Sequence, residues 1–107
     1  MGNRVSISFW DGQVESVAFF SHWDGKRLCA AAREYIKSLG PYSKDNKIEP
    51  LDRREAGTVM VNFVSWYLGG KPSPSNYYFG SMDNPMCGDN SDNGHFKIDS
   101  KTGNVVK

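Results

Sequence analysis

Residues 4–25 read RVSISFWDGQVESVAFFSHWDG, and this stretch decides the fold. The pair Asp11-Gly12 stands between two runs of alternating residues. That pattern indicates a β-hairpin, because a tight turn needs positive φ angles that glycine adopts freely. We therefore predict a hairpin over residues 4–20. A two-residue turn gives it three cross-strand pairs: Phe9 with Val14, Ile7 with Ser16, and Val5 with Ala18.

This register gives the hairpin one apolar face and one polar face, because directly opposed residues share a face of the sheet. The apolar face carries Val5, Ile7, Phe9, Val14 and Ala18. The other face carries Arg4, Ser6, Ser8 and Glu15, interrupted by Val17 and Phe19. We expect the apolar face to meet the core and the other face to be largely solvated.

Two helices are predicted after the hairpin, and the helical spacing of Leu28, Ala32 and Tyr35 gives the first an apolar stripe. The first covers residues 25–39, with Asp24 as its cap, because an aspartate side chain can accept hydrogen bonds from the first amides of a helix. The second covers about residues 52–68, with Asp52 and Glu55 as a capping box. Its β-branched residues also favour a strand, so helix and strand both remain open for residues 58–68.

Three further strands are predicted over about residues 76–81, 95–99 and 104–106, the last two joined by a three-residue turn at Lys101-Thr102-Gly103 with the glycine in the left-handed conformation. Residues 82–94 form a long loop rich in Asp, Asn and Gly. The element order is ββααβββ. We therefore predict one α+β domain over residues 1–107, with an antiparallel sheet and two helices packed on one of its faces.

Composition excludes several classes of protein. Thirteen basic and twelve acidic residues leave a net charge of +1, which argues against nucleic acid as the partner. Two cysteines are too few for a disulfide framework. The N-terminus leads straight into the hairpin without a signal peptide, and no apolar run approaches the ~20 residues that span a bilayer. We expect a soluble cytoplasmic protein without a membrane partner.

Both ends of the chain resemble a group of small uncharacterised bacterial and phage proteins. The resemblance rests on FSHWDG at 20–25, directly after a hairpin, and on FKID at 96–99 followed by GNVV at 103–106. That group often continues with Tyr-Pro after the glycine, where this chain has Lys26-Arg27. The resemblance supports the predicted fold and implies a phage or prophage origin, which would place the protein in the host cytoplasm. It implies no activity.

The segment DNSDNG at 89–94 is the most suggestive local motif. Asp89, Ser91 and Asn93 fall at positions 1, 3 and 5 of a calcium loop of the EF-hand type. However, Ser100 stands where that loop needs a bidentate glutamate, and the flanking segments are predicted strands rather than helices. An Asx-rich turn is the alternative. The candidate Ca²⁺ ligands are Asp89, Ser91, Asn93 and Asp99.

Enzyme chemistry has little support in the sequence. His22 could act as a general base with Asp24 or Glu55. A zinc site of Cys87 and His95 with nearby aspartates would lack the paired Cys/His spacing of known zinc sites. The chain also has no nucleophile elbow, P-loop or Rossmann glycine motif.

Aromatic residues outside the predicted core indicate a binding surface instead, because clustered exposed aromatics mark partner sites. The predicted surface comprises Trp10, Val17, Phe19, His22, Trp23, Asp24, Tyr77 and Tyr78. We therefore predict a module that binds another macromolecule, with protein as the favoured partner, or that forms a homodimer through its sheet. A calcium-binding domain and a small enzyme centred on His22 are the alternatives.

Overall fold

The computed structural model describes residues 2–40, 54–69, 75–81 and 89–106. Within these ranges the chain forms an α+β fold, as predicted. The elements are β1 (Val5–Trp10), β2 (Ala18–Ser21), α1 (Lys26–Ser38), α2 (Ala56–Leu68), β3 (Tyr77–Gly80) and β4 (His95–Asp99). Residues 58–68 are therefore helical, and the strand alternative for them is wrong.

The four strands form one mixed sheet in the order β3-β2-β1-β4. β2 is antiparallel to both β1 and β3, but β4 is parallel to β1, so the prediction of a purely antiparallel sheet is wrong. A parallel neighbour requires a connection of about a dozen residues or more. The connection from β1 to β4 comprises residues 11–94 and contains β2, both helices and β3, so it is far longer than this minimum.

The hairpin exists, but its predicted register is wrong. Ile7 pairs with Phe19 instead of Ser16. The loop is longer than two residues, because the first bridge joins Trp10 to Glu15. Between that bridge and the β1–β2 ladder, the second strand contains one extra residue, which is a β-bulge. In the bulge, the Ser16 hydroxyl accepts a hydrogen bond from the backbone amide of Phe9, at 2.9 Å.

The bulge changes which side chains reach the core, because a shift by an odd number of residues exchanges the two faces of a strand. Phe19, predicted on the outer face, is only 1% exposed and packs its ring edge-on against Phe63 of α2. Val14, predicted in the core, instead lies in the longer loop before the Trp10–Glu15 bridge and is 58% exposed. Ala18 is buried, but it lies on the face opposite Phe19.

Both helices cover the same face of the sheet, as predicted. The side chains that meet there are fully or almost fully buried. They include Val5, Ile7, Phe9, Phe19 and Ile98 from the sheet, Leu28, Ala32, Tyr35 and Ile36 from α1, and Ala56, Val59, Met60 and Phe63 from α2. Burial of this apolar surface is the main force that holds the two layers together.

Neither helix begins with the cap that the sequence suggested. The residue before α1 is Gly25, at φ +58°, and no side chain caps the helix. α2 begins at Ala56, after an extended Glu55, so the predicted capping box does not form; Asp52 lies outside the described residues. Instead, the Ala56 amide donates to the Asp11 carboxylate in the hairpin loop, at 3.0 Å.

The C-terminal segment forms a turn but not the predicted strand over residues 104–106. Val105 makes only an isolated antiparallel bridge to Ile98 of β4. The turn itself matches the prediction, with Gly103 at φ +80° and the Asp99 carboxylate accepting the amides of Lys101 and Thr102. The segment therefore lies along the outer edge of β4.

Candidate binding cleft

An open cleft of about 630 Å³ lies where α1, the end of α2 and β3 come together. This volume is typical of sites that accept a small ligand or a side chain of a partner. The cleft is lined by Asp24, Arg27, Ala30, Ala31, Glu34, Trp66, Tyr67 and Tyr77. The two alanines leave room on the α1 side because their side chains are single methyl groups.

The turn between β2 and α1 places Asp24 in this cleft. The Ser21 hydroxyl accepts the amides of Trp23 and Asp24, at 3.3 and 3.1 Å. The Asn76 side chain accepts the His22 amide at 2.9 Å, which joins the turn to the start of β3. The Asp24 side chain is consequently buried, with 7% exposure.

The Asp24 carboxylate is the polar centre of the cleft. Its Oδ2 accepts hydrogen bonds from the hydroxyls of Tyr67 and Tyr77, at 2.6 and 2.8 Å. Its Oδ1 meets the guanidinium of Arg27 at 3.4 Å, but the Arg27 side chain is 79% exposed. The prediction that Asp24 caps α1 is therefore wrong, because its carboxylate points to α2 and β3.

Both tyrosines stay protonated because of their surroundings. Burial, together with the hydrogen bond to Asp24 and its negative charge, raises the pKa of Tyr67 far above that of a free tyrosine. The same causes raise the pKa of Tyr77. The two phenols are consequently hydrogen-bond donors to the carboxylate at any physiological pH.

Aromatic rings form the walls around the carboxylate. The rings of Tyr67 and Tyr77 lie 6.0 Å apart and almost perpendicular. Trp66 packs against Tyr35 at 5.3 Å between ring centres and remains 48% exposed. The cleft thus offers a buried anionic acceptor beside accessible ring faces, which suits binding of a partly apolar group.

The structure divides the predicted binding surface among several places. Asp24 and Tyr77 lie in the cleft, and Phe19 is in the core. Trp23 and Val17 are exposed, at 57% and 48%, and neither lines the cleft.

Trp10, His22 and Tyr78 lie on the sheet face opposite the helices. Trp10 is partly buried there, with the Lys97 ammonium 4.9 Å from its ring centre. The Tyr78 ring stacks on Phe20 at 5.0 Å and lies 5.4 Å from the His22 ring. These residues therefore do not form one surface with Asp24 and Tyr77.

Sequence reasoning missed most of the cleft. The apolar spacing of the second helix predicts Tyr67 in the core, and the spacing of the first helix predicts Arg27 and Glu34 outside its apolar stripe. Tyr67 and Tyr77 lie 43 and 53 positions from Asp24, so no local spacing connects them. The only signal in the sequence was the number of tyrosines and tryptophans.

The hypothesis that His22 acts as a general base requires a carboxylate beside its ring, and the described contacts of His22 do not include one. The His22 ring lies beside Tyr78, whereas the Asp24 carboxylate bonds Tyr67 and Tyr77. Glu55, the other suggested partner, stands before the first turn of α2. The enzyme alternative stays an untested prediction.

A second polar cluster lies on the opposite face of the sheet. His95 Nδ1 is 2.7 Å from the Ser6 hydroxyl, and its Nε2 is 3.0 Å from the Ser8 hydroxyl and 3.1 Å from Glu15 Oε2. Ser8 also donates to Glu15, and Asn90 donates to Ser6 at 2.9 Å. The prediction that these serines are solvated is wrong, because both are fully buried.

This cluster has the residue types of a nucleophilic triad, but a nucleophile must reach its substrate. Both hydroxyls have 0% exposure, so neither does. The bonds instead connect β1, the hairpin loop and β4. We therefore assign the cluster to fold stability.

The acidic loop is connected to the N-terminus. Arg4 donates to Asp89 at 2.7 Å and to Asp92 at 2.9 Å. Hydrogen bonds from Ser91 and the Arg4 charge lower the pKa of Asp89, and hydrogen bonds from Arg4 lower that of Asp92. Among the described residues, no three His, Cys, Asp or Glu side chains converge as a metal site would require.

The four candidate calcium ligands are not gathered around one point. Asp89 Oδ1 accepts the Ser91 amide at 3.0 Å, which is an ordinary Asx turn. The side-chain amide of Asn93 donates to the side-chain oxygen of Asn3 at 2.7 Å. The Asp99 carboxylate accepts hydrogen bonds from turn amides at the other end of β4. The calcium site remains a prediction, and Cys87 of the zinc alternative lies outside the described residues.

No protein-family model matches the chain, and no match was found among curated proteins or solved structures. The resemblance to small bacterial and phage proteins therefore stays an expectation. Neither α1 nor α2, the helices of the described ranges, is long and apolar enough to cross a membrane. Any statement of function must consequently come from the geometry of the chain itself.

Proposed function

We propose that the protein is a binding module that accepts a segment of a protein partner in the cleft around Asp24 and along β3. One observation carries this proposal: a buried carboxylate, held by two tyrosine hydroxyls, lies at the base of an open cleft with accessible aromatic walls. Concave sites in which a few fixed polar groups lie beside aromatic side chains are typical of ligand recognition.

Exposed aromatic side chains near the cleft support a protein partner. Trp66 on α2 is 48% exposed, and Phe79 on β3 is 52% exposed. Side chains of this size contribute strongly when a partner buries them, and tryptophan is enriched among binding hot spots.

The outer edge of β3 supports recognition of an extended segment. β3 pairs with β2 on one side, and no other strand of the described ranges pairs with its second side. In contrast, the outer edge of β4 is covered by the C-terminal turn, where Val106 donates to Lys97 at 2.7 Å. A peptide could therefore add to β3 by backbone hydrogen bonds while a side chain enters the cleft.

Peptide display on the purified protein tests this proposal. We expect selection of peptides that bind the wild type and lose affinity for Trp66→Ala and Phe79→Ser. Trp23→Ala is the matched control, because this tryptophan is exposed to a similar degree but does not line the cleft. Circular dichroism would verify that each variant is folded.

Two results would contradict the proposal. One is failure to select any peptide above an unrelated control protein, and the other is equal loss in the Trp23→Ala control. The sequence also suggested a homodimer through the sheet. Light scattering separates the two, since a module with a free cleft is expected to be monomeric.

A further inference from the structure

We propose that the group recognised in the cleft is an alkylammonium cation, as carried by a lysine side chain or by a free amine. This inference rests on the proposed binding function and specifies the chemistry of its ligand. It follows from three features of the cleft: the charge balance at Asp24, the aromatic walls and the position of Arg27.

The charge at Asp24 is compensated mainly by neutral donors. Its side chain is 93% buried, and burial of a carboxylate is costly unless opposite charge or several hydrogen bonds compensate. The two short hydrogen bonds come from neutral phenols. The only cation that contacts the carboxylate among the described residues is Arg27, at 3.4 Å from Oδ1 and largely in solvent. A second cation in the cleft would improve this balance.

The walls favour a cation that carries alkyl groups. Trp66, Tyr67 and Tyr77 line one space, and the negative face of an aromatic ring attracts an ammonium group within about 6 Å. The methyl groups of Ala30 and Ala31 line the side towards α1, where an alkyl chain can lie. Glu34 adds a second negative charge, so two acids face one base, Arg27, in the lining.

The Arg27 guanidinium would compete with a bound ammonium group for the Asp24 carboxylate. This guanidinium lies on the solvent side of Asp24, where an incoming ammonium would approach. Removal of Arg27 should therefore strengthen binding of a cation. If the cleft instead recognised an anion through Arg27 and the tyrosine hydroxyls, the same substitution would weaken binding. The sign of the Arg27 effect thus separates the two kinds of ligand.

The experiment is an NMR titration of the ¹⁵N-labelled full chain with tetramethylammonium chloride and n-butylammonium chloride. Sodium chloride is the control for ionic strength, and sodium acetate is the anionic probe. We expect shifts at Asp24, Trp66, Tyr67 and Tyr77 with both ammonium salts and none of comparable size with the controls.

Four variants complete the test. We expect Arg27→Gln to bind the ammonium probes several-fold more tightly, since the competing charge is gone. Asp24→Asn and Trp66→Ala should each weaken binding, about tenfold for the loss of the carboxylate. Trp23→Ala should bind like the wild type. If Asp24→Asn does not fold, the other two variants still test the inference, because Arg27→Gln should strengthen binding of the ammonium probes and Trp66→Ala should weaken it.

The two sources of an ammonium group are separated by comparing n-butylammonium with the blocked peptide acetyl-Gly-Lys-Gly-amide. Tighter binding of the peptide supports a lysine of a protein partner, and tighter binding of the free amine supports a small amine. Absence of ammonium-specific shifts, or weaker binding by Arg27→Gln, would overturn the inference. Display peptides that bind without such shifts would leave the proposed function standing and refute only its ligand chemistry.

Discussion

At the scale of single residues, several aspartates join segments that are distant in the sequence. Asp11 is the clearest example. Its Oδ1 accepts the amides of Gln13 and Val14 in the hairpin loop, and its Oδ2 accepts the first amide of α2. One side chain thereby shapes the loop and caps a helix 45 residues away.

We expect Asp11→Ala to destabilise the fold by about 1–2 kcal/mol, the usual effect of losing a helix cap. Urea unfolding measures this change. Asp11→Asn is the control, because an amide retains one acceptor oxygen and should cost less. Equal stability of Asp11→Ala and the wild type would show that the cap contributes nothing.

The Asp11 contribution should also depend on pH. The hydrogen bond from the Ala56 amide, followed by that from Val14, lowers the pKa of Asp11 below its usual value of about 3.9. A lowered pKa in the folded state stabilises the protein at neutral pH, and this stabilisation is lost as the pH falls from about 4 through the folded-state value. The stability difference between wild type and Asp11→Ala should therefore shrink below pH 4.

Gly103 is a second residue with a testable constraint. It has φ +80°, and a Cβ there would lie 3.1 Å from the Arg33 carbonyl oxygen and 3.3 Å from Ile36 Cβ. We expect Gly103→Ala to destabilise the fold by about 1–3 kcal/mol through backbone strain, and further through this contact with α1.

Gly12→Ala is the matched control for Gly103→Ala. Gly12 has φ +99° but nothing within 4 Å of its added Cβ, so it reports strain alone. Unfolding in urea should rank Gly103→Ala as the more harmful of the two. The reverse order would contradict the close packing of the C-terminal turn on α1.

At the scale of elements, the hairpin bulge determines what the sheet presents to each side. It brings Phe19 to the face covered by α2 and leaves Phe20 stacked on Tyr78 on the other face. The Ser16 hydroxyl stabilises this bulge, since it accepts a hydrogen bond from the backbone amide of the fully buried Phe9.

We expect Ser16→Ala to destabilise the fold by about 1–3 kcal/mol, because it leaves a buried amide without its acceptor. Ser38→Ala serves for comparison, since the exposed Ser38 only donates to the Tyr35 carbonyl at the end of α1. Thermal and urea unfolding would measure both variants. Similar small losses in the two would mean that water replaces the Ser16 hydroxyl.

The cluster around His95 acts between elements in the same way. Burial would raise the pKa of Glu15, but hydrogen bonds from Ser8 and His95, together with the charges of His95 and Lys97, outweigh burial and lower it. The carboxylate therefore remains ionised at neutral pH. The Glu15 carboxylate contacts His95 of β4. This contact adds a polar interaction between the hairpin and β4, and so stabilises the parallel pairing of β1 with β4.

At the scale of the whole molecule, the N-terminus and the acidic loop are joined across more than eighty positions by Arg4 and its two aspartates. A calcium ion bound by Asp89 would have to displace this guanidinium. We therefore expect millimolar Ca²⁺ to leave the melting temperature of the wild type unchanged. A ligand that bound only the folded state at a hundredfold excess over its Kd would add about 2.7 kcal/mol.

Thermal unfolding with chelator, Ca²⁺ and Mg²⁺ makes this measurement. A rise in Tm with Ca²⁺ alone that disappears in Asp89→Ala would establish the calcium site suggested by the sequence. Asp99→Ala tests the fourth predicted ligand, whose carboxylate binds turn amides at the far end of β4. Loss of the calcium response in this variant as well would support the full predicted ligand set, whereas an unchanged response would restrict the site to the acidic loop.

The sequence by itself determined the elements that depend on near neighbours. Asp11-Gly12 marked the hairpin, the spacing of Leu28, Ala32 and Tyr35 marked α1, and the glycine at 103 marked the last turn. Such features follow from backbone geometry and from side-chain periodicity within a few residues. The α+β class and the helix-covered face followed from them.

Only the tertiary structure decided the bulge, the parallel β1–β4 pairing and the cleft. Each depends on contacts between segments with no fixed spacing in the sequence: Phe9 needs the Ser16 hydroxyl, and Asp24 needs two tyrosines from α2 and β3. Local pattern predicts which face of an element is apolar. It does not predict which polar side chains of different elements meet, because those contacts form only when the layers pack.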